Sequence, residues 1–129
     1  MHKMSYFSKK IISWQKINGR NNLPWQAKSP YHVWISEIML QQTQVKTVIP
    51  YFHKFIKSFP SIKSLAKSDL DKVLANWSGL GYYTRAKNIH KASKIIHQKY
   101  HGSIPKNYEQ LIELPGIGES TAGALLTLA

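Results

Sequence analysis

Apolar positions recur with helical spacing almost throughout the chain, and no period-2 alternation is long enough for a strand. Phe7, Ile11, Trp14 and Ile17 fall on one face of a first predicted helix, which Asn18-Gly19 stops. A loop from Arg20 to Ser29 follows, with Pro24-Trp25 inside it. Ser29-Pro30 reads as an N-cap and first helical residue. The helix it opens carries Val33, Trp34 and Ile38 and should end near Gln42. Thr43 is placed to cap the next helix, which runs to about Ser58 with a kink at Pro50.

Pro60 opens a short helical turn through Ala66, and Ser68-Asp69-Leu70-Asp71 has the capping-box form ahead of Val73, Leu74 and Trp77. Gly79-Leu80-Gly81 breaks the chain again. A longer helix is predicted from about Tyr82 to Tyr100, with Ala86, Ile89, Ala92 (or Ser93) and Ile96 inward and lysines outward. Asn107 caps Tyr108 to Leu114, Pro115-Gly116-Ile117-Gly118 forms a tight turn, and Glu119 starts a further helix toward Ala129. That last helix is apolar and lacks a C-cap signal. The expectation is a chain that is part of a longer protein, or one that needs something to cover this end.

Composition narrows the class. No apolar stretch approaches the roughly 20 residues that span a bilayer. Met1 to Lys10 lacks the apolar core of a secretory signal. With no cysteine among 129 residues, a disulfide scaffold, a zinc ribbon and an iron–sulfur site are excluded within them. Lys+Arg number 18 against 6 Asp+Glu, a net charge of +12, which points first to nucleic acid and second to an anionic membrane surface. The blander account is codon bias, because Arg20 and Arg85 are the only arginines in a lysine-, isoleucine- and asparagine-rich chain. A soluble protein of the cytoplasm is expected.

Few acids leave few candidates for chemistry. Asp69 and Asp71 lie in a helix's first turn, where a carboxylate complements the macrodipole. Glu109, Glu113 and Glu119 fall in amphipathic or turn contexts. Glu37 sits among Trp34, Ile35, Ser36, Ile38, Met39 and Leu40. Burial there would raise its pKa and suit it to donate a proton near neutral pH. The alternative is a glutamate on the wet side of a half-buried helix. The second candidate is the turn at Gly116 and Gly118, whose glycines permit close backbone approach. The amides that follow it, through Ser120 and Thr121, are placed to bind a phosphate without reading sequence.

The turn and its flanking helices resemble the helix-hairpin-helix DNA glycosylase superfamily. The run from Pro30 to Val45, Pro-Tyr-His-Val-Trp-Ile-Ser-Glu-Ile-Met-Leu-Gln-Gln-Thr-Gln-Val, closely resembles the MutY family of adenine DNA glycosylases, as does the run from Trp77 to Ala86. The resemblance is collinear from about Phe7 onward. It implies an all-α fold, the six-helix-barrel domain, over residues 29–129, ending inside the helix-hairpin-helix. Residues 1–28 would then form a helix and loop that pack on a cluster domain this sequence does not contain.

It also implies a double-stranded DNA partner carrying adenine opposite 8-oxoguanine or guanine, a monomer, and hydrolysis of the N-glycosidic bond. Glu37 matches the glutamate that protonates the departing adenine, and Gln42 and Tyr82 match residues wedged into the base stack, with Gln41 beside them. Arg20, Leu23 and Trp25 fall in the segment lining the adenine pocket. Gly116, Gly118 and the amides of Ser120 and Thr121 match the phosphate-gripping hairpin. Plain structural roles stay open: Tyr82 as a helix start, Gln42 as an exposed helix end, Trp25 as core.

Ser120 stands where strand-nicking relatives resembling endonuclease III carry a Schiff-base lysine, which implies a monofunctional enzyme using water. Three family features have no counterpart in the sequence: the catalytic aspartate beyond the hairpin, the four cysteines that hold a [4Fe–4S] cluster in complete members, and the 8-oxoguanine-reading domain. No cofactor is expected on this chain, and little glycosylase activity from it alone. A hairpin module that grips DNA without chemistry is the competing reading.

Overall fold

The computed structural model describes Pro24 and residues 29–128. The predicted N-terminal helix, with Phe7, Ile11, Trp14 and Ile17, lies outside the described residues, as do Arg20, Leu23 and Trp25. Among the described residues there are seven helices and no strand: α1 (Pro30–Met39), α2 (Val45–Ser58), α3 (Ile62–Lys67), α4 (Leu70–Trp77), α5 (Thr84–Lys99), α6 (Tyr108–Ile112) and α7 (Glu119–Leu128). None of them is long and apolar enough to cross a membrane.

The first helix is the centre of the packing. Eight of its ten residues, Tyr31 and Val33 to Met39, are buried. A helix apolar nearly all round has to be enclosed on every side, and α2, α5 and α7 pack against it. Ser29 caps it by accepting from the His32 amide, and Pro30 fills its first turn. Tyr31 donates its hydroxyl to the Phe59 carbonyl at 2.6 Å, tying the start of α1 to the end of α2. Burial pushes the Tyr31 phenol far above its ordinary range. Behind α1, Phe55 packs on Phe59 and edge-on to Trp77, at centroid separations of 4.9 and 6.0 Å.

Helix α5 closes the other side against α3 and α4. Ala86, Ile89, His90, Ala92, Ser93 and Ile96 are buried, so Ala92 and Ser93 both face inward, while Lys87, Lys91, Lys94 and Lys99 remain exposed. The buried His90 ring meets the Ser68 carbonyl at 2.7 Å, which satisfies one of its nitrogens.

Several boundaries differ from those that local patterning predicts. Helix α1 stops at Met39 rather than Gln42, and the chain turns through residues 40–43 with Gln42 at φ 61°. Helix α2 is capped at Gln44 rather than Thr43, without a side-chain bond, and stays helical through Pro50. Ser61 and Ser64, rather than Pro60, form the capping box of α3. The cap of α4 is Asp69, which accepts from the Lys72 amide at 2.9 Å, while Ser68 bonds back to the Ser64 carbonyl. Helix α5 starts at Thr84, because Tyr82 is left-handed at φ 51°.

The turn joining α6 to α7 is tight, with the Leu114 amide bonded to the Leu111 carbonyl and the Ile117 amide to the Leu114 carbonyl, both at 3.1 Å. Its two glycines do different jobs. Gly116 has φ 77°, and a Cβ there would lie 2.8 Å from the Asn88 Cβ. A Cβ on Gly118 would meet nothing within 4 Å.

Gly116→Ala should therefore cost about 1–3 kcal/mol of stability in urea unfolding, whereas Gly118→Ala stays within about 0.5 kcal/mol of wild type. Equal losses would contradict this division. Asp69→Ala should cost about 1 kcal/mol in the same measurement, the usual worth of an N-cap.

Candidate active site

Glu37 is the eighth of the ten residues of α1 and is 1% exposed, among neighbours along the helix that are mostly apolar. Enclosing a carboxyl costs several kcal/mol in its ionised form. The helix ends two residues later, and that early stop opens a space in front of the carboxyl. A cavity of about 580 Å³ is lined there by Glu37, Leu40, Gln41 and Gln42 from α1 and its exit. Tyr82, Thr84 and Arg85 contribute from the opposite lip, and Ser120 and Thr121 from the first turn of α7. Its volume falls in the range of small-ligand sites.

Six of the residues singled out from the sequence thus come together: Glu37, Gln41, Gln42, Tyr82, Ser120 and Thr121. Gln41 Nε2 donates to Thr121 Oγ1 at 3.5 Å, closing the cavity wall between α1 and α7. Gly116 and Gly118 are not among its lining residues. Gly116 instead borders a separate cavity of about 60 Å³ with Trp34, Ile38, Gln41, Arg85, Asn88, Ile89 and Pro115.

The rim is conformationally unusual. Gln42 at φ 61° and Tyr82 at φ 51° are both left-handed residues with full side chains, a conformation that costs about 1 kcal/mol or more each. Tyr82 is 62% exposed and Gln42 is also exposed, so neither is held by burial of its own side chain. The loop before Tyr82 is fixed instead by its backbone. Tyr51 donates its hydroxyl to the Ser78 carbonyl at 3.0 Å, the Tyr83 hydroxyl accepts from the Gly79 amide at 3.2 Å, and Trp77 Nε1 donates to the Gly81 carbonyl at 3.0 Å. Gly79, at φ 94°, lies so close to the Tyr51 hydroxyl that a Cβ would collide with it.

Sequence reasoning passed over three lining residues, Leu40, Thr84 and Arg85, of which Arg85 makes the most side-chain bonds. Its Nη1 donates to the carbonyls of Ile38 at 2.7 Å, Met39 at 3.1 Å and Gln41 at 2.7 Å, and its Nη2 to Gly81 at 3.2 Å. The guanidinium carbon also lies 5.4 Å from the ring centroids of both Trp77 and Tyr82. Burial lowers its pKa from the ordinary arginine value, opposed by Tyr82. The available signal was its rarity: one of two arginines, following a Gly-Leu-Gly-Tyr-Tyr run.

No group of three or more His, Asp or Glu side chains among the described residues is arranged to hold a metal ion, and the chain has no cysteine.

Several known proteins are similar to this chain in sequence or in fold. Over 122 residues the chain is 61% identical to an adenine DNA glycosylase of Buchnera aphidicola subsp. Baizongia pistaciae, covering 94% of this chain and 35% of that protein. It is 36% identical over 133 residues to the Homo sapiens adenine DNA glycosylase, covering 95% of this chain and 24% of that protein. The chain therefore spans about a third or less of the length of these relatives. A thermostable thymine-DNA glycosylase superposes with a TM-score of 0.79 at 25% identity, covering 99% of this chain and 59% of that one. A non-covalent endonuclease III–DNA complex shares the fold with a TM-score of 0.74 at 19% identity, covering 99% and 60%. The family profile "HhH-GPD superfamily base excision DNA repair protein" matches residues 35–123, a span that holds the buried Glu37, the Gln42–Tyr82 rim and the turn at Gly116 and Gly118. The chain belongs to the HhH-GPD superfamily of base excision DNA repair proteins.

Proposed function

We propose that this chain forms the acid-bearing part of an adenine DNA glycosylase, which removes adenine mispaired with 8-oxoguanine or guanine by hydrolysing its N-glycosidic bond. The observation that carries the reading is a carboxyl 1% exposed at a cavity roomy enough to admit a nucleobase, beneath a rim of two left-handed polar side chains. Its similarity to adenine DNA glycosylases of bacteria and mammals selects the base.

In this mechanism a duplex gives up the adenine from its stack at a cost of a few kcal/mol. Tyr82 and Gln42, exposed on the rim, wedge into the gap and offset part of that cost by stacking and hydrogen bonding. The Glu37 carboxyl donates its proton to adenine N7. The N9–C1′ bond breaks with its electron pair going to the base, and a cation-like sugar forms. Water adds its oxygen to C1′ and returns a proton to the Glu37 carboxylate, leaving free adenine and an abasic sugar. Gln41, Ser120 and Thr121 face the extruded nucleotide, while Gly116, Gly118 and the amides beyond grip the backbone. The family resemblance assigns adenine binding to Arg20, Leu23 and Trp25, which lie outside the described residues, and the protein works on double-stranded DNA as a monomer.

A sugar cation calls for a second carboxylate. Asp69, Asp71, Glu109, Glu113 and Glu119 do not line the cavity, so Glu37 is the one carboxyl there among the described residues. Excision by the 129-residue chain alone is therefore slow. A [4Fe–4S] cluster, expected in complete members of the family, needs cysteine ligands that this chain does not have, so its residues do not fit that group and no step involves it. No lysine lines the cavity among the described residues, and Ser120 cannot form an imine, which favours water as the nucleophile.

The 129-residue chain should bind a duplex with one adenine:8-oxoguanine pair more tightly than the matched duplex. Equal affinities would point instead to a hairpin module without chemistry. Excision detected in long single-turnover incubations should fall about 10²–10⁴-fold in Glu37→Gln, with mispair preference kept; a rate that survives the substitution removes Glu37 from its role. Tyr82→Ala should cost about 1–3 kcal/mol of mispair affinity, the usual worth of a lost stacking platform, and little matched-duplex affinity. Borohydride should trap no covalent complex.

A further inference from the structure

We infer that Arg85 is a positioning residue that locks the two left-handed rim residues, Gln42 and Tyr82, into one rigid edge of the cavity. The inference rests on the glycosylase reading for what that edge does, but its geometry stands apart from that reading. The Gln41 carbonyl belongs to the peptide that leads into Gln42, and the Gly81 carbonyl to the peptide that leads into Tyr82. One guanidinium binds both, at 2.7 and 3.2 Å. Each of these peptides sets the φ of the residue after it, and those φ values are 61° and 51°. A left-handed residue with a side chain persists only where its surroundings over-determine it, and these bonds supply that restraint to both residues at once.

The same guanidinium accepts no substitute easily. It reaches the Ile38 and Met39 carbonyls at the C-terminus of α1, where a cation complements the helix dipole. It also lies 5.4 Å from the ring centroids of Trp77 and Tyr82. A planar fork with several fixed donors suits this arrangement; a single ammonium does not. Arg85 thereby couples three things: where α1 stops, which exposes Glu37 to the cavity; where Gln42 turns; and where the Tyr82 ring stands. Nothing in the proposed chemistry requires Arg85 to touch the reacting atoms.

Hydrogen exchange on the DNA-free 129-residue chain reads the lock directly. The Gln41, Thr43 and Leu80 amides bond within these turns, to the carbonyls of Ile38, Leu40 and Trp77, and the Gly79 amide bonds to the Tyr83 hydroxyl. Arg85→Lys should speed exchange at all four by about ten-fold, the loss of roughly one good hydrogen bond in each turn. Amides of α3 and the middle of α5 should keep their protection. Trp77→Phe removes the second donor to Gly81 and trims a buried ring that packs on Phe55 and Arg85, so it should speed exchange more at Gly79 and Leu80 than at Gln41 and Thr43. With duplexes, Arg85→Lys should reduce preference for the adenine mispair about ten-fold while matched-duplex affinity holds. Wild-type exchange rates in either turn, a uniform rise through all helices, failure of Arg85→Lys to fold, or full mispair preference in that variant would each overturn the assignment. If the wild-type chain shows no mispair preference, the adenine reading fails while the exchange data still decide the lock.

Discussion

A carboxyl enclosed in the most buried helix of the domain is the constraint from which the rest of the architecture follows. Glu37 is 1% exposed on a helix with eight of ten residues buried, so its carboxyl is set within the core packing. That packing is heavy. Trp34, Trp77, Phe55, Phe59, Ile35 and Met39 are among the largest fully buried side chains, and full burial of each such group is worth about 1.5–3 kcal/mol. A core of this kind tolerates one expensive polar group of several kcal/mol. Proteins commonly carry such a cost where function demands it.

The cavity arises from a helix that stops early. Had α1 continued to Gln42, residues 40–42 would have extended the helix across the space in front of Glu37. Where it ends at Met39, its last carbonyls are capped by a charged guanidinium from α5, which stabilises the stop. Charge-assisted hydrogen bonds are about twice as strong as neutral ones. The left-handed strain at Gln42 accompanies that stop, and the exposed Tyr82 opposite carries the same strain.

Much of this was legible in the sequence. The 3.6 periodicity of Ala86, Ile89 and Ile96 marks α5, Ser29-Pro30 marks the start of α1, and the glycines of the α6–α7 turn stand out. Glu37 was conspicuous as an acid inside an apolar run. The end of α1 was not legible, because Leu40-Gln41-Gln42-Thr43 holds neither glycine nor proline and the turn is bonded by a residue 44 positions away. The α4 cap was ambiguous for a smaller reason: Ser68 and Asp69 are both good caps, and the backbone angles that choose between them are set by packing. Tyr82 follows a glycine and precedes a helical pattern, so helix was the reasonable local reading. Only the bonds to the Gly81 carbonyl from Trp77 and Arg85 show why it turns the other way.

The short path from the α6–α7 turn to the cavity also bears on how backbone and base could be read together. Gly118 is followed by Glu119, and then by Ser120 and Thr121, which line the cavity. Thr121 is in turn bonded to Gln41 on the α1 exit. A ligand phosphate at Gly118 would therefore sit only two or three residues from the cavity wall, on the same helix end. Gly116 makes that spacing stiff, because it is packed on Asn88 of α5, whereas Gly118 leaves open space where a close ligand would need it. Helix α5 thus braces the turn through Asn88 and the rim through Arg85, three residues apart on neighbouring helical positions. A shift of α5 would move both together, so the distance between a gripped backbone and Glu37 is set by one rigid element rather than by two loops.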